Sequence, residues 1–78
     1  SKIYNSIERW GKMEQYLVIV YPYRGEIYYC GDSELEAYRI YKQRKKREYV
    51  KLVKAIVHKA LIQGYDVIKD YKITQVIR

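Results

Sequence analysis

Half of the residues between Arg39 and Lys54 are Lys or Arg: Arg39, Lys42, Arg44, Lys45, Lys46, Arg47, Lys51 and Lys54, with Glu48 the one acid among them. Groups at this density hold phosphate or carboxylate oxygens, Arg as a bidentate fork and Lys as a point charge. Each phosphate neutralised on a nucleic acid also releases condensed counterions. The candidate contacts are therefore Arg39, Lys42, Arg44, Lys45, Lys46, Arg47 and Lys51. Tyr23 and Arg24, between Pro22 and Gly25, form a second candidate contact, where a ring and a guanidinium could enter a groove or stack on unpaired bases. Two other uses of the charge stay open. One is docking on an acidic protein; the other is a solvated face whose positive end complements a helix C-terminus.

Little else in the chain could do chemistry. One Cys and one His cannot build a four-ligand zinc site, and Cys30 has no partner for an internal disulfide. His58, between Val57 and Lys59, has no Ser, Cys or carboxylate placed by spacing to make it a general base; it reads as a helix-flank residue. Cys30 reads as a small packed side chain at a strand end. Asp32, Glu34 and Glu36 are explained by helix capping. No catalytic residue, metal site or cofactor is expected, and the chain is not expected to be an enzyme.

Composition bounds the rest. Seventy-eight residues make one domain, spanning 1–78. A hydrophobic share of 49% permits a small core and argues against disorder. A formal charge of +7 favours polyanionic partners. Eleven Tyr with no Phe supplies rings that pack and hydroxyls that stay wet; these serve either as a base-stacking surface or as ordinary packing in a Tyr-biased composition. No apolar run approaches a membrane span, and no signal-peptide core is evident. The lone Cys suits a reducing compartment. A cytoplasmic location is expected, host cytoplasm if the source is viral.

The elements that must position these residues follow from pattern. Ile3, Ile7 and Trp10 at helical spacing, with Gly11 as a stop, suggest a short N-terminal helix or arm over 1–11. Gln15–Tyr21 is β-branched and aromatic, apolar on both faces, and ends at Pro22; it reads as a central strand. A turn at residues 22–25 returns the chain as a second strand over Glu26–Cys30, making a hairpin. Ser33 and Glu36 form a capping box that opens a helix. From Lys42 to Glu48 no residue is a candidate for burial. A wide stripe then runs from Tyr49 through Leu52, Val53, Ile56, Val57, Ala60 and Leu61 to Gly64. This is compatible with one long helix over 33–63, about 45 Å at 1.5 Å per residue, or with two helices broken near Gln43–Arg47. Tyr71–Ile77 alternates as a closing strand, expected to join the hairpin as its third member, with Tyr65–Lys69 either a connector or the start of that strand. The expected fold is a small α+β domain of order α-β-β-α-β, with its sheet packed on one long or broken basic amphipathic helix.

In outline, a three-stranded sheet with a supporting helix resembles the arm-binding domains of phage integrases. The local echo is Asp32-Ser33-Glu34-Leu35-Glu36-Ala37, and it carries no residue role across. Tyr29-Cys30-Gly31 followed by Arg39 is similar to the second half of the GIY-YIG nuclease motif, with Tyr16 where the first motif tyrosine would sit. Glu14-Gln15 replaces the Gly-Ile of that motif, and no downstream Glu is placed to bind the metal that such cleavage needs. The expected function is non-catalytic binding of nucleic acid, DNA or RNA, through phosphate contacts. Small size and Tyr richness suit a phage- or mobile-element-type accessory or regulatory protein. The alternative is an inhibitor or adaptor that docks on an acidic macromolecule. A homodimer is compatible with either.

Overall fold

A computed structural model describes residues 6–22 and 26–78. The chain runs β1 (Ser6–Trp10), β2 (Gln15–Val20), β3 (Ile27–Gly31), α1 (Glu34–Arg44), β4 (Val50–Ile62) and β5 (Tyr65–Val76). The class is α+β, mostly β, with every strand pair antiparallel. One edge of β4 carries β2 and β1 end to end: Gln15–Val20 pair with Val50–Ala55, and Ser6–Trp10 with His58–Ile62. The Gly11 amide donates to the Val57 carbonyl at 2.8 Å and holds the junction between them. The other edge of β4 carries β5, and β3 lies outside β2.

The expected helix over the second half stops at Arg44, and residues 50–62 are a strand. This is the largest correction, and its cause is burial on both faces. Val50 and Leu52 point toward α1, while Val53, Ala55 and Val57 point the other way. A strand buried on both sides reads as a nearly continuous apolar run, which a helical template also fits. The β-branched residues Val50, Val53, Ile56, Val57 and Ile62 favour the strand. Gly64, expected to end a helix, instead closes a two-residue hairpin between Ile62 and Tyr65, with Gln63 at φ 52° and Gly64 at φ 85°. Positive φ at both central residues is what a tight hairpin needs to match strand twist.

Three further expectations change. Ser6–Trp10 is a strand added to β4 rather than a helix, and Ile3 lies outside the described residues. The closing strand begins at Tyr65, so residues 65–69 are its start rather than a connector, and it pairs with β4 rather than with the β2–β3 hairpin. The order is therefore β-β-β-α-β-β. The molecule measures 47 × 24 × 20 Å, the longest extent matching the roughly 43 Å that thirteen strand residues span at 3.3 Å each.

The core has two halves divided by the sheet. Leu17, Ile19, Val53, Ala55 and Val57 form one, closed over by Ile27 and Cys30 from β3 and Ile68 and Tyr71 from β5. The edge strands β3 and β5 thus curl toward the same cluster. Extra residues in β5, Thr74 opposite the Lys54/Ala55 step of β4 and Lys69 opposite its His58/Lys59 step, help β5 bend. Val18, Val50 and Leu52 form the other half under Ala37 of α1, with Ile40 and Tyr41 beside it.

The capping box forms by half. The Glu36 amide donates to Ser33 Oγ at 3.0 Å, but the Ser33 amide donates to Tyr29 Oη at 3.1 Å instead of receiving the Glu36 carboxylate. Tyr29 lies over Gly31, where a Cβ would stand 2.5 Å from Tyr29 Oη. Gly31→Ala is therefore expected to displace the ring and the helix start it holds, costing about 1–3 kcal/mol in urea unfolding. Unchanged stability would show that the ring moves aside freely.

Candidate nucleic-acid interface

The strand pairing of β2 with β4 brings two loops to one end of the sheet. Val20 pairs with Val50, and the Tyr21 amide donates to the Tyr49 carbonyl at 3.0 Å. The α1–β4 turn, residues 45–49, thus lies beside the start of the β2–β3 connection. The candidates Tyr23 and Arg24 belong to that connection and lie outside the described residues.

The basic turn is held by its one acid. A register shift after Val18 leaves Tyr28 as the extra residue of β3, and a bulge re-aims its side chain. Tyr28 and Tyr29 consequently both pack on the α1 side of the sheet. The Tyr28 hydroxyl donates to the Glu48 carboxylate, 2.6 and 2.7 Å from its two oxygens. Arg44 covers the Tyr28 ring with its guanidinium carbon 3.9 Å from the centroid, and its Nη1 is 3.8 Å from Glu48 Oε2. The Lys45 amide donates to the Tyr41 carbonyl at 2.9 Å, and the Arg47 and Glu48 amides donate to the Arg44 carbonyl at 3.0 Å. The end of α1 is thereby capped by the turn.

The hydrogen bond to Glu48, reinforced by burial and by the charges of Glu26 and Glu48, pushes the Tyr28 phenol from 10.0 up to about 12; Arg44 opposes this. A raised phenol means that the folded state holds the proton more tightly than the unfolded chain. The stabilisation is then fully present below pH 10 and is lost as pH rises through 12. Comparing urea unfolding of the wild type and Tyr28→Phe across pH should give a constant difference up to about pH 10 that shrinks toward pH 12. A difference that stays level to pH 12 would remove Glu48 as the cause.

The other candidate bases separate. Arg39 sits mid-helix in an exposed pair with Glu36 at 3.0 Å. Lys42 and Lys45 lie over the Tyr38 and Tyr41 rings at 5.5 and 5.6 Å. Lys46 and Arg47 are exposed, and among the described residues no carboxylate comes within 4.0 Å of either, while the paired bases are Arg39, Arg44, Lys54 and His58. Lys51 points to the sheet face opposite α1, in register with Ile19. Lys42, Lys45, Lys46, Arg47 and the Arg44 that anchors them are thus gathered at the C-terminal end of α1. Arg39 and Lys51 flank them at different levels.

Two residues set aside for chemistry have structural partners. His58 stands on β4 rather than on a helix flank; it stacks on Trp10 at 4.9 Å and pairs with Glu8 at 3.3 Å. Cys30 is half-buried beside the Leu17 cluster, its Sγ 3.7 Å from Gln15 Oε1. Burial pushes its thiol up, with Lys59 opposing and Asp32 assisting. Among the described residues no group of three or more His, Cys, Asp or Glu is placed to hold a metal ion, and no helix is long and apolar enough to cross a membrane.

Pattern alone missed Tyr21 and Tyr49 as a pair. They meet only because β4 follows the basic turn as a strand. No protein-family model, curated protein or solved structure matches this chain.

Proposed function

We propose that this protein is a non-catalytic nucleic-acid binder that holds phosphates with the basic end of α1 and the turn that follows. The observation that carries the reading is the state of these charges. Lys46 and Arg47 are exposed with no described carboxylate in reach, Lys42 and Lys45 lie over tyrosine rings with no described carboxylate in reach either, and Glu48 is committed to Tyr28. Cations already paired with acids would have to break those pairs to bind a phosphate; these do not. Arg39 and Lys51 extend the positive surface along α1 and onto the sheet, with Tyr23 and Arg24 as a proposed second contact.

The test is fluorescence anisotropy with random single-stranded and duplex DNA and RNA, titrated against salt. Affinity should fall steeply as salt rises, since each phosphate contact adds about 0.7–0.9 to the log–log slope. Binding that is absent, or insensitive to salt, would sink the reading.

A second reading, an adaptor that docks on an acidic protein, has one observation of its own. A groove of about 530 Å³ runs between α1 and the chain end, lined by Glu34, Leu35, Tyr38, Leu52, Ile77 and Arg78. Leu35 is 68% exposed, and an apolar groove edged by Arg78 suits a protein side chain with an acidic neighbour. If nucleic acid fails, an acidic protein that binds at one-to-one stoichiometry and is released by Leu35→Asp would favour this reading.

A further inference from the structure

We infer that Tyr21, Tyr49 and Lys51 form a base-stacking platform, and that the ligand it takes is single-stranded nucleic acid with unpaired bases. This rests on the phosphate-binding reading above and adds to it the strandedness of the ligand.

Both rings stand at the sheet end beside the basic turn. Tyr21 continues the side of β2 that carries Leu17 and Ile19, and Tyr49 continues the side of β4 that carries Lys51 and Val53, so they emerge on the face that α1 leaves uncovered. The ring centroids are 5.7 Å apart with planes at 87°. Edge-to-face packing of this kind leaves ring surface open, and Tyr49 is 63% and Tyr21 43% exposed. Lys51 Nζ lies 5.2 Å from the Tyr21 centroid and 5.6 Å from that of Tyr49. It holds a cation where the backbone of a stacked strand would pass. A cleft of about 320 Å³ continues from Tyr21 along the same face, lined by Ile19, Val20, Tyr21, Pro22, Tyr71 and Ile73.

The tyrosines of β2 and β3 already have polar partners. Tyr28 is bound to Glu48, Tyr29 accepts from the Ser33 amide, and the Tyr16 hydroxyl is bonded to Glu34. Among the described residues, the Tyr21 and Tyr49 hydroxyls have no hydrogen-bond partner. Two open rings, a cation over both and a run of bases next to them are what a nonspecific single-strand site needs: faces for bases and charge for the backbone. A duplex hides its base faces within its own stack, and offers this platform only phosphate.

The test uses three labelled probes of equal length: oligo-dT, an abasic oligonucleotide and a duplex. The wild type should bind oligo-dT about tenfold or more tighter than the abasic strand, because each stacked base adds roughly that factor. Tyr49→Ala and Tyr21→Ala should each lose about tenfold on oligo-dT and nothing on the abasic strand, with the salt slope unchanged. Tyr49→Phe keeps the ring and should bind as the wild type does. Salt-sensitive binding of oligo-dT and abasic strand with equal affinity would overturn the platform while leaving the phosphate reading intact. So would a preference for the duplex, or Tyr variants that weaken both single strands alike. Failure to bind any probe would overturn both readings together.

Discussion

Changing Lys42, Lys45, Lys46 and Arg47 together to Gln should remove most binding to a random oligonucleotide and flatten its salt dependence. If each of the four holds one phosphate of a single strand, the log–log slope falls by about 2.8. Between 50 and 200 mM salt the wild type should then lose about 50-fold more affinity than the variant. Arg44 is kept because its guanidinium covers Tyr28 and approaches Glu48; removing it would loosen the turn and mix a folding effect into the binding effect. The four substituted side chains are exposed, and surface changes of this kind usually shift stability by no more than about 0.5 kcal/mol each. Losing cations from the end of α1 adds a modest dipole cost. A thermal melt of the variant is therefore the necessary companion measurement. A folded variant that binds with the wild-type slope would show that the ligand contacts something else.

Leu17→Ala should bring the fold close to its limit. Leu17 is fully buried between β3 and β4 and belongs to the cluster on which β3 and β5 converge. A buried Leu→Ala change costs about 2–5 kcal/mol, depending on how far the site collapses. A chain of this length has about 4–12 kcal/mol in total at the usual stability per residue. The melting temperature should fall by about 4–8 °C per kcal/mol lost. Leu35→Ala is the matched control, the same chemical change at a side chain that is 68% exposed, and should move stability by about 0.5 kcal/mol or less. Equal losses at the two sites would mean that the curled sheet is not the load on which the fold depends.

The elements legible in advance were those whose signals are local. Gln15–Val20 was readable because β-branched and aromatic residues on both faces end at a proline. The start of α1 was readable because Ser33 can cap only its own first turn, and the Glu36 amide does bond to it. The return strand of the hairpin followed from the turn residues between. Val50–Ile62 was not readable by period, because its apolar positions satisfy both helix and strand templates. Its β-branched residues and the Gln63-Gly64 pair were the available signals, and the long apolar stripe outweighed them. Trp10 and Ile7 at helical spacing misled in the same way: five residues are too few for spacing to outweigh an open β4 edge.

The candidate site divides along the same line. Sequence alone determined that the region from Lys42 to Glu48 stays outside the core, since no residue there can be buried without loss, and that its charge is positive. Tertiary structure decided everything that depends on neighbours distant in the chain. It assigned Glu48 to Tyr28 across 20 residues, and it placed the basic turn beside Tyr21, where the β2–β3 connection starts. By turning the chain after Tyr49 into a strand, it also set Tyr49 against Tyr21. The physical reason is that β pairing is non-local. A helix satisfies its backbone within four residues, so its ends are written in adjacent residues. A strand satisfies its backbone on partners elsewhere, so which face it buries, and which rings it leaves exposed, follow only from the partners it finds.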